Sequence, residues 1–562
     1  MTSDQTQRIT RAAFPFLALS IVLLIPLRAA AWVYTRGGAG ASAVLADPHG
    51  NVISAGMQGA PPVLADYPVV VVKHGRADGA EIWRYTMGTG ANALLAWSGD
   101  GSLIASNFTA GSSYVPIGAV VAKIDAANGQ EQWRRGVPDV GFHSLAVDAS
   151  GDVLAAGRAR GSIPNDPDDW DLIVVKFAGS TGDEIWRFVL NGGQSVYDGR
   201  DGEEARAVGV DASGDVLVAG KIVDSIEVTS GSLTIPDFLV LKLDGASGQL
   251  VWRNEVRSVA FHGGIAKALQ VAPNGDLIAA GWAVPDASGW FDIVVARFAA
   301  LDGIEVWRTV IDSGGGDYAN DIKLDAAGDV LLAAAPTTTI FSMMKFAGSS
   351  GALLWRHDVP YPGPCLGGEC SGANLVAIDS SGDAIAAGVL AGQGDFTVVK
   401  VRGADGSEIW RRNVDVSGCD DAAASIAVDG SGDIAVGGTA FMPVGGTCSW
   451  PNGAQYAVAK LGGESGEDYS RECKDGRDND ADGLVDYPAD PGCARAGSTR
   501  EDPQCNDGVD NDGDALVDLS DPQCSGIAAN PLEEAGCGLG LEMGWLLLPV
   551  MWMRARRARA SA

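Results

Sequence analysis

An all-β chain closed into an eight-bladed β-propeller is what this sequence predicts, on three observations. A tight-turn signal followed by a hydrophobic strand returns eight times, at Gly50, Gly101, Gly151, Gly214, Gly275, Gly328, Gly382 and Gly432. A Trp-Arg pair accompanies it at Trp83, Trp133, Trp186, Trp252, Trp307, Trp355 and Trp410, with Trp32 as an outlying first member. Seventy-six Gly and 46% hydrophobic residues, without long helical periodicity, argue for many short strands. A period of roughly 50 residues makes the chain a repeat array rather than a string of ordinary domains. Seven or nine blades are the alternatives; the strand count favours eight.

From the N-terminus, residues 1–31 read as a secretory signal peptide. Arg8 and Arg11 precede an apolar run to Leu27, and Ala29, Ala30 and Ala31 supply small residues for cleavage before Trp32. An N-terminal membrane anchor is the competing reading.

Residues 32–471 hold the repeat. Each unit reads Trp-Arg, a strand of the type Ala-x-x-Val-x-x-Asp, a Gly-Asp turn, a strand Val-Leu-x-Ala-Gly and a strand Val-Val-x-Lys. A turn Asp-x-x-x-Gly then leads to the next Trp. Alternating apolar residues with a Gly at each tight turn suit four antiparallel strands of one blade. Both Trp32–Arg36 and the segment around Tyr469, where Tyr replaces Trp, can supply the strand that joins first blade to last. Closure of that kind removes exposed sheet edges.

Residues 472–526 carry the sharpest chemical signal. Thirteen Asp fall in the 52 residues 473–524, in two similar units. The first offers Asp478, Asp480, Asp482, Asp486 and Asp490; the second offers Asp510, Asp512, Asp514, Asp518 and Asp521. Carboxylates at alternate positions of a tight loop converge oxygen ligands on a hard cation, so Ca²⁺ is the expected cofactor. A disordered acidic linker is the bland alternative. Residues 527–562 are a linker and a hydrophobic tail: Met543 to Met553 is apolar and short for a bilayer span, and Arg554, Arg556, Arg557 and Arg559 follow.

Nine Cys fit an oxidising compartment. Proximity pairs Cys365 with Cys370, Cys419 with Cys448, Cys473 with Cys493 and Cys505 with Cys524, although connectivity does not follow from sequence. Cys537 is left over. The net charge of −31 falls to −31 − 2 − 3 = −36 once the leader (+2) and the tail after Cys537 (+3) are removed. So acidic a surface repels phosphates and disfavours nucleic acid as a partner.

Three resemblances attach to these residues. The turn-and-Trp element, as in Asp244-Gly245-Ala246-Ser247-Gly248 before Trp252, resembles the docking repeat of pyrroloquinoline quinone dehydrogenases and of related non-enzymatic propellers such as outer-membrane assembly scaffolds. In that family the repeated Trp packs between blades. The acidic units resemble thrombospondin type 3 calcium repeats and the first part of EF-hand loops. Neither unit carries the bidentate Glu of an EF-hand, and Ala515 stands where a Gly is expected, so modest affinity is implied. The tail from Cys537 is similar to Cys-Gly sorting signals of bacterial surface proteins, notably in myxobacteria, which implies processing at Cys537 and attachment to the envelope. A plain short membrane anchor is the alternative.

Catalysis is not predicted. The quinone enzymes use a vicinal disulfide, and this chain has no adjacent Cys-Cys. The recurring Asp148, Asp211, Asp325, Asp379 and Asp429 occupy one turn position, as structural Asx turns do. Of five His, His143 and His262 fall at similar places, but two His without a third ligand do not make a zinc site. The expectation is an exported, monomeric, non-enzymatic propeller at the cell surface or outer membrane. It would bind a protein or glycan at one face. A quinone-dependent dehydrogenase and a scaffold of an envelope assembly machine are the alternatives.

Overall fold

The structure, a computed structural model, describes residues 32–463 except 60–66, 111–115, 162–169, 193–201, 229–230, 259–262, 285–288, 361–370, 391–395, 415–420 and 442–453. Apart from one short 3₁₀ turn, Pro336–Thr338, every regular element in it is a strand. Six antiparallel four-stranded sheets follow one another along the chain, from Ala91–Trp97 through Glu408–Val414. A seven-stranded sheet combines the two ends.

That larger sheet owes its size to one long strand, Trp32–Ala46, which pairs twice. Its first part, Trp32 to Gly37, lies antiparallel to Ala454–Leu461, with Trp32 opposite Lys460. Its second part, Gly38 to Ala46, pairs with Val52–Gln58. The register slips between Gly38 and Gly40, where Gly40 has φ 137°, a conformation that only glycine adopts readily. The strand thus closes one four-stranded unit and opens another, so the seven strands form two units. Of the two end segments able to complete the last unit, the N-terminal one does so.

Read along the sequence, a unit opens at its Trp; in space the Trp strand closes the preceding sheet. Trp186, for example, sits on the fourth strand opposite Lys176 of the third. A glycine on the second strand lets the first strand of the same sheet approach closely. A Cβ at Gly157, Gly220, Gly281 or Gly388 would fall within van der Waals contact of the first strand's backbone, at the register shift that each of these pairings carries.

The units pack face to face in a ring. Eight hydrophobic clusters are present among the described residues, and each joins two consecutive units. One of them unites Trp32, Val44, Val52 and Val70 with Ala435, Tyr456 and Val458, so the last unit packs on the first. The first strands of neighbouring units also touch each other around the centre. The chain is therefore an all-β propeller, with its core distributed as layers between sheets.

Candidate functional site

The conspicuous repeated residues are consumed by the joints. Trp83 Nε1 donates to Ala126 O (3.2 Å), Trp133 to Gly179 O (3.0 Å), Trp186 to Gly245 O (3.1 Å) and Trp252 to Ala300 O (3.1 Å). Trp307 and Trp355 repeat the bond to Gly348 O and Gly403 O. Trp32, which lacks the following Arg, makes it to Arg76 O at 3.0 Å and so behaves as a full member across the seam. Each acceptor lies in the turn between the third and fourth strands of the next unit. Trp410 Nε1 has no acceptor among the described residues.

The same carbonyls take a second donor. Lys73, Lys123, Lys176 and Lys242 each reach the oxygen that the Trp of their own unit uses. Arg297 substitutes at Gly348 O. Each cation also meets a carboxylate of its own unit: Lys176 lies 2.8 Å from Asp148 and Lys242 2.8 Å from Asp211. The recurring Asp does two jobs, because its other oxygen accepts turn amides, as Asp148 Oδ1 does from Ser150 and Asp152. Burial alone would raise the Asp211 carboxyl, but bonds from Lys242 and Ser213 outweigh it and hold it below the usual range. The Asx turns were legible in sequence; their ion pairs with the third strand's Lys were not.

A buried Ser-His pair sits at the seam. His74 Nε2 lies 2.7 Å from Ser54 Oγ, and Tyr456 Oη donates to that hydroxyl at 2.6 Å. His74 Nδ1 lies 3.2 Å from Gly79 O; a carbonyl only accepts, so Nδ1 carries the proton and Nε2 accepts from Ser54. All three side chains are fully buried, so no substrate reaches the hydroxyl. Burial pushes the His74 imidazole down to about 4.

The two faces of the ring differ. On one, the turns between first and second strands span 47–51, 98–102, 148–152 and so on to 429–433, five residues every time. Those between third and fourth strands run 75–80 to 402–407, always six. On the opposite face, connections range from the single residues Gly90 and Asp139 to the 13 residues 191–203. Asp139 manages its one-residue turn at φ 56°.

Two clusters stand out on this variable face. His143 Nε2 lies 3.7 Å from Glu204, which also meets Arg206 at 2.7 Å and Lys221 at 3.7 Å. Burial, then Arg206, brings the His143 imidazole down to about 4, so it is neutral there. Further round, Trp282, Phe291 and Tyr318 form a mutual aromatic cluster with centroids 5.0 to 6.3 Å apart, and Trp290 beside it is 58% exposed. Asp292, Asp312 and Asp317 bring carboxylate oxygens within 4.8 Å of one another nearby. Burial raises the Asp317 carboxyl, although the Ser313 and Thr337 amides bond it.

Several expected residues lie outside the described ones: Asp478, Asp480, Asp482, Asp486, Asp490, Asp510, Asp512, Asp514, Asp518, Asp521, Cys537, all the other Cys, and His262. His143 lies within the first strand of its sheet, Val140–Val147, and packs against Glu204. Sequence reasoning missed the aromatic cluster, because its members come from two units and follow no period. Among the described residues, no helix is long and apolar enough to cross a membrane.

A family profile described as "Outer membrane protein assembly factor BamB" matches residues 236–440. No curated protein matches in sequence. Among solved structures, BamB from Moraxella catarrhalis is similar over 76% of this chain and 98% of its own, at 13% identity and a TM-score of 0.44. Quinohemoprotein alcohol dehydrogenase from Comamonas testosteroni is similar over 76% of each chain, at 11% identity and a TM-score of 0.47. The C-terminal WD40 domain of Sif2 is similar over 76% of this chain and 97% of its own, at 10% identity and a TM-score of 0.47.

Proposed function

We propose that this chain is a non-catalytic, exported propeller of eight blades that binds a protein partner through its variable face. The observation that carries this reading is the asymmetry of the two faces. One face repeats the same two turn lengths around the ring and uses its Lys, Asp and Trp to lock units together. The other varies its connections and carries the exposed Trp290 beside an aromatic cluster and three carboxylates. Aromatic anchors next to charge are the composition of binding hot spots, and the acidic charge favours a partner segment with Lys or Arg.

The remaining parts fit the same reading. The Asp-rich units at 472–526 would bind Ca²⁺ through the ten named carboxylates and stiffen a stalk too small to build its own core. Processing at Cys537 would attach that stalk to the envelope. Scaffolding within an envelope assembly machine is the second reading, favoured by the family match over 236–440.

A photo-crosslinking residue placed at Trp290 tests the partner face, with one at Leu301 as control. Leu301 is 86% exposed and lies in a turn of the constant face. A discrete crosslinked partner at position 290 and none at 301 is expected; crosslinks at 301 alone overturn the reading.

A further inference from the structure

We infer that the constant face carries a second binding site, for a neutral sugar ring, at the junction of the last, first and second units. A pocket of about 590 Å³ opens there, lined by the ends of the inner strands and the five-residue turns after them. Its size is that of a small-ligand site. The inference does not depend on what occupies the variable face.

Two departures from the repeat create the space. The second turn position holds Pro, Ala or Ser in six units but glycine in the other two, Gly99 and Gly430, and both line the pocket. No atom lies within 4 Å of where their Cβ would stand, so side chains there would project into open space. Two further departures supply recognition groups. The inner strand ends on an aliphatic residue in seven units and on Trp97 in the second. Trp97 packs, partly buried, against the core between the first and second units and also lines the pocket. His49 occupies a turn position where no other unit has His.

The chemistry of the wall selects the ligand class. Its charges are already matched: Lys73 lies 2.9 Å from Asp47, and Asp429 lies 3.0 Å from Lys460. Lys73 is further committed to Ala126 O, so no cation is left to hold a phosphate or carboxylate. A chain of net charge −31 repels anions in addition. An indole face is electron-rich and apolar, and the C–H face of a pyranose is its complement. The imidazole of His49 and the uncovered backbone of the turns at Gly99 and Gly430 then meet the ring's hydroxyls.

The test uses the full chain with four probes: methyl glucopyranoside, methyl mannopyranoside, methyl galactopyranoside and N-acetylglucosamine. Saturation-transfer NMR and calorimetry read binding. At least one probe is expected to bind saturably, and Trp97→Leu to weaken it at least about tenfold. The double variant Gly99→Ala with Gly430→Ala refills the pocket as the other units do and is expected to weaken it similarly. Neither glycine has a left-handed φ, so this variant keeps the wild-type melting midpoint and decides the matter if Trp97→Leu fails to fold. No saturation by any probe below about 50 mM would overturn the inference. So would unchanged affinity in the double variant, or a preference for tryptophan amide over every sugar.

Discussion

At the residue scale, seven joints among the described residues each lay a Trp over a glycine. Gly303 has φ 69°, and a Cβ there would stand 2.5 Å from the Trp252 ring. Gly303→Ala therefore adds a steric clash to left-handed strain and should cost about 2–4 kcal/mol in urea unfolding. Gly214→Ala, at φ 89° but in open space, should cost only about 1–2 kcal/mol. Equal losses at the two sites would refute the joint as described. His74 gives a pH dependence whose sign follows from its burial. The imidazole has its ordinary value of 6.5 unfolded and about 4 folded, so the unfolded chain binds the proton between those values. Stability is then complete above about pH 6.5 and falls by about 3 kcal/mol as pH drops toward 4. His74→Phe, which restores the apolar residue type of the equivalent Phe177, Phe298 and Phe346, should remove about half of the slope in unfolding midpoints compared between pH 7.5 and pH 5, the buried His143 supplying the other half. The repeating Trp and Asp announced themselves in the sequence by period. His74 did not, because one departure from a repeat has no period, and its partner Ser54 and the Tyr456 that donates to Ser54 are 20 and 382 positions away.

At the scale of elements, closure rests on six residues. Trp32 to Gly37 form the outer strand of the last unit, and the same strand continues into the first. Deleting residues 32–37 should remove the Trp32 bond to Arg76 and leave Ala454–Leu461 as an exposed edge. The expected outcome is a lower melting midpoint and concentration-dependent association in sedimentation, with the strand content by circular dichroism nearly unchanged. A deletion variant with the wild-type midpoint would show that another segment fills the slot. The sequence narrowed that slot to two candidates, Trp32–Arg36 and the segment around Tyr469. Pairing opposite Lys460 favours the first, since Trp32 then stands where Trp410 stands opposite Lys400.

At the scale of the whole molecule, the ring presents one face held uniform by its joints and one released to vary. The stalk reading gives a direct expectation: the full chain binds Ca²⁺ with an affinity in the extracellular range of about 10⁻⁴ to 10⁻³ M. Asp510→Asn with Asp512→Asn and Asp514→Asn should remove about half of the calorimetric stoichiometry. No heat at millimolar Ca²⁺ after EDTA treatment would discard the stalk. The sequence by itself determined the all-β repeat, the turn chemistry and the structural role of the Trp. Each of these depends on residues close along the chain and is restated eight times. Only the tertiary structure decided which end closes the ring, that the Lys or Arg and the Trp of six units share one carbonyl of the next unit, and that Trp97, His49, Gly99 and Gly430 surround one pocket. Those facts depend on contacts between units, and the pocket joins residues of the last unit to residues of the first two, a proximity that exists only once the ring has closed.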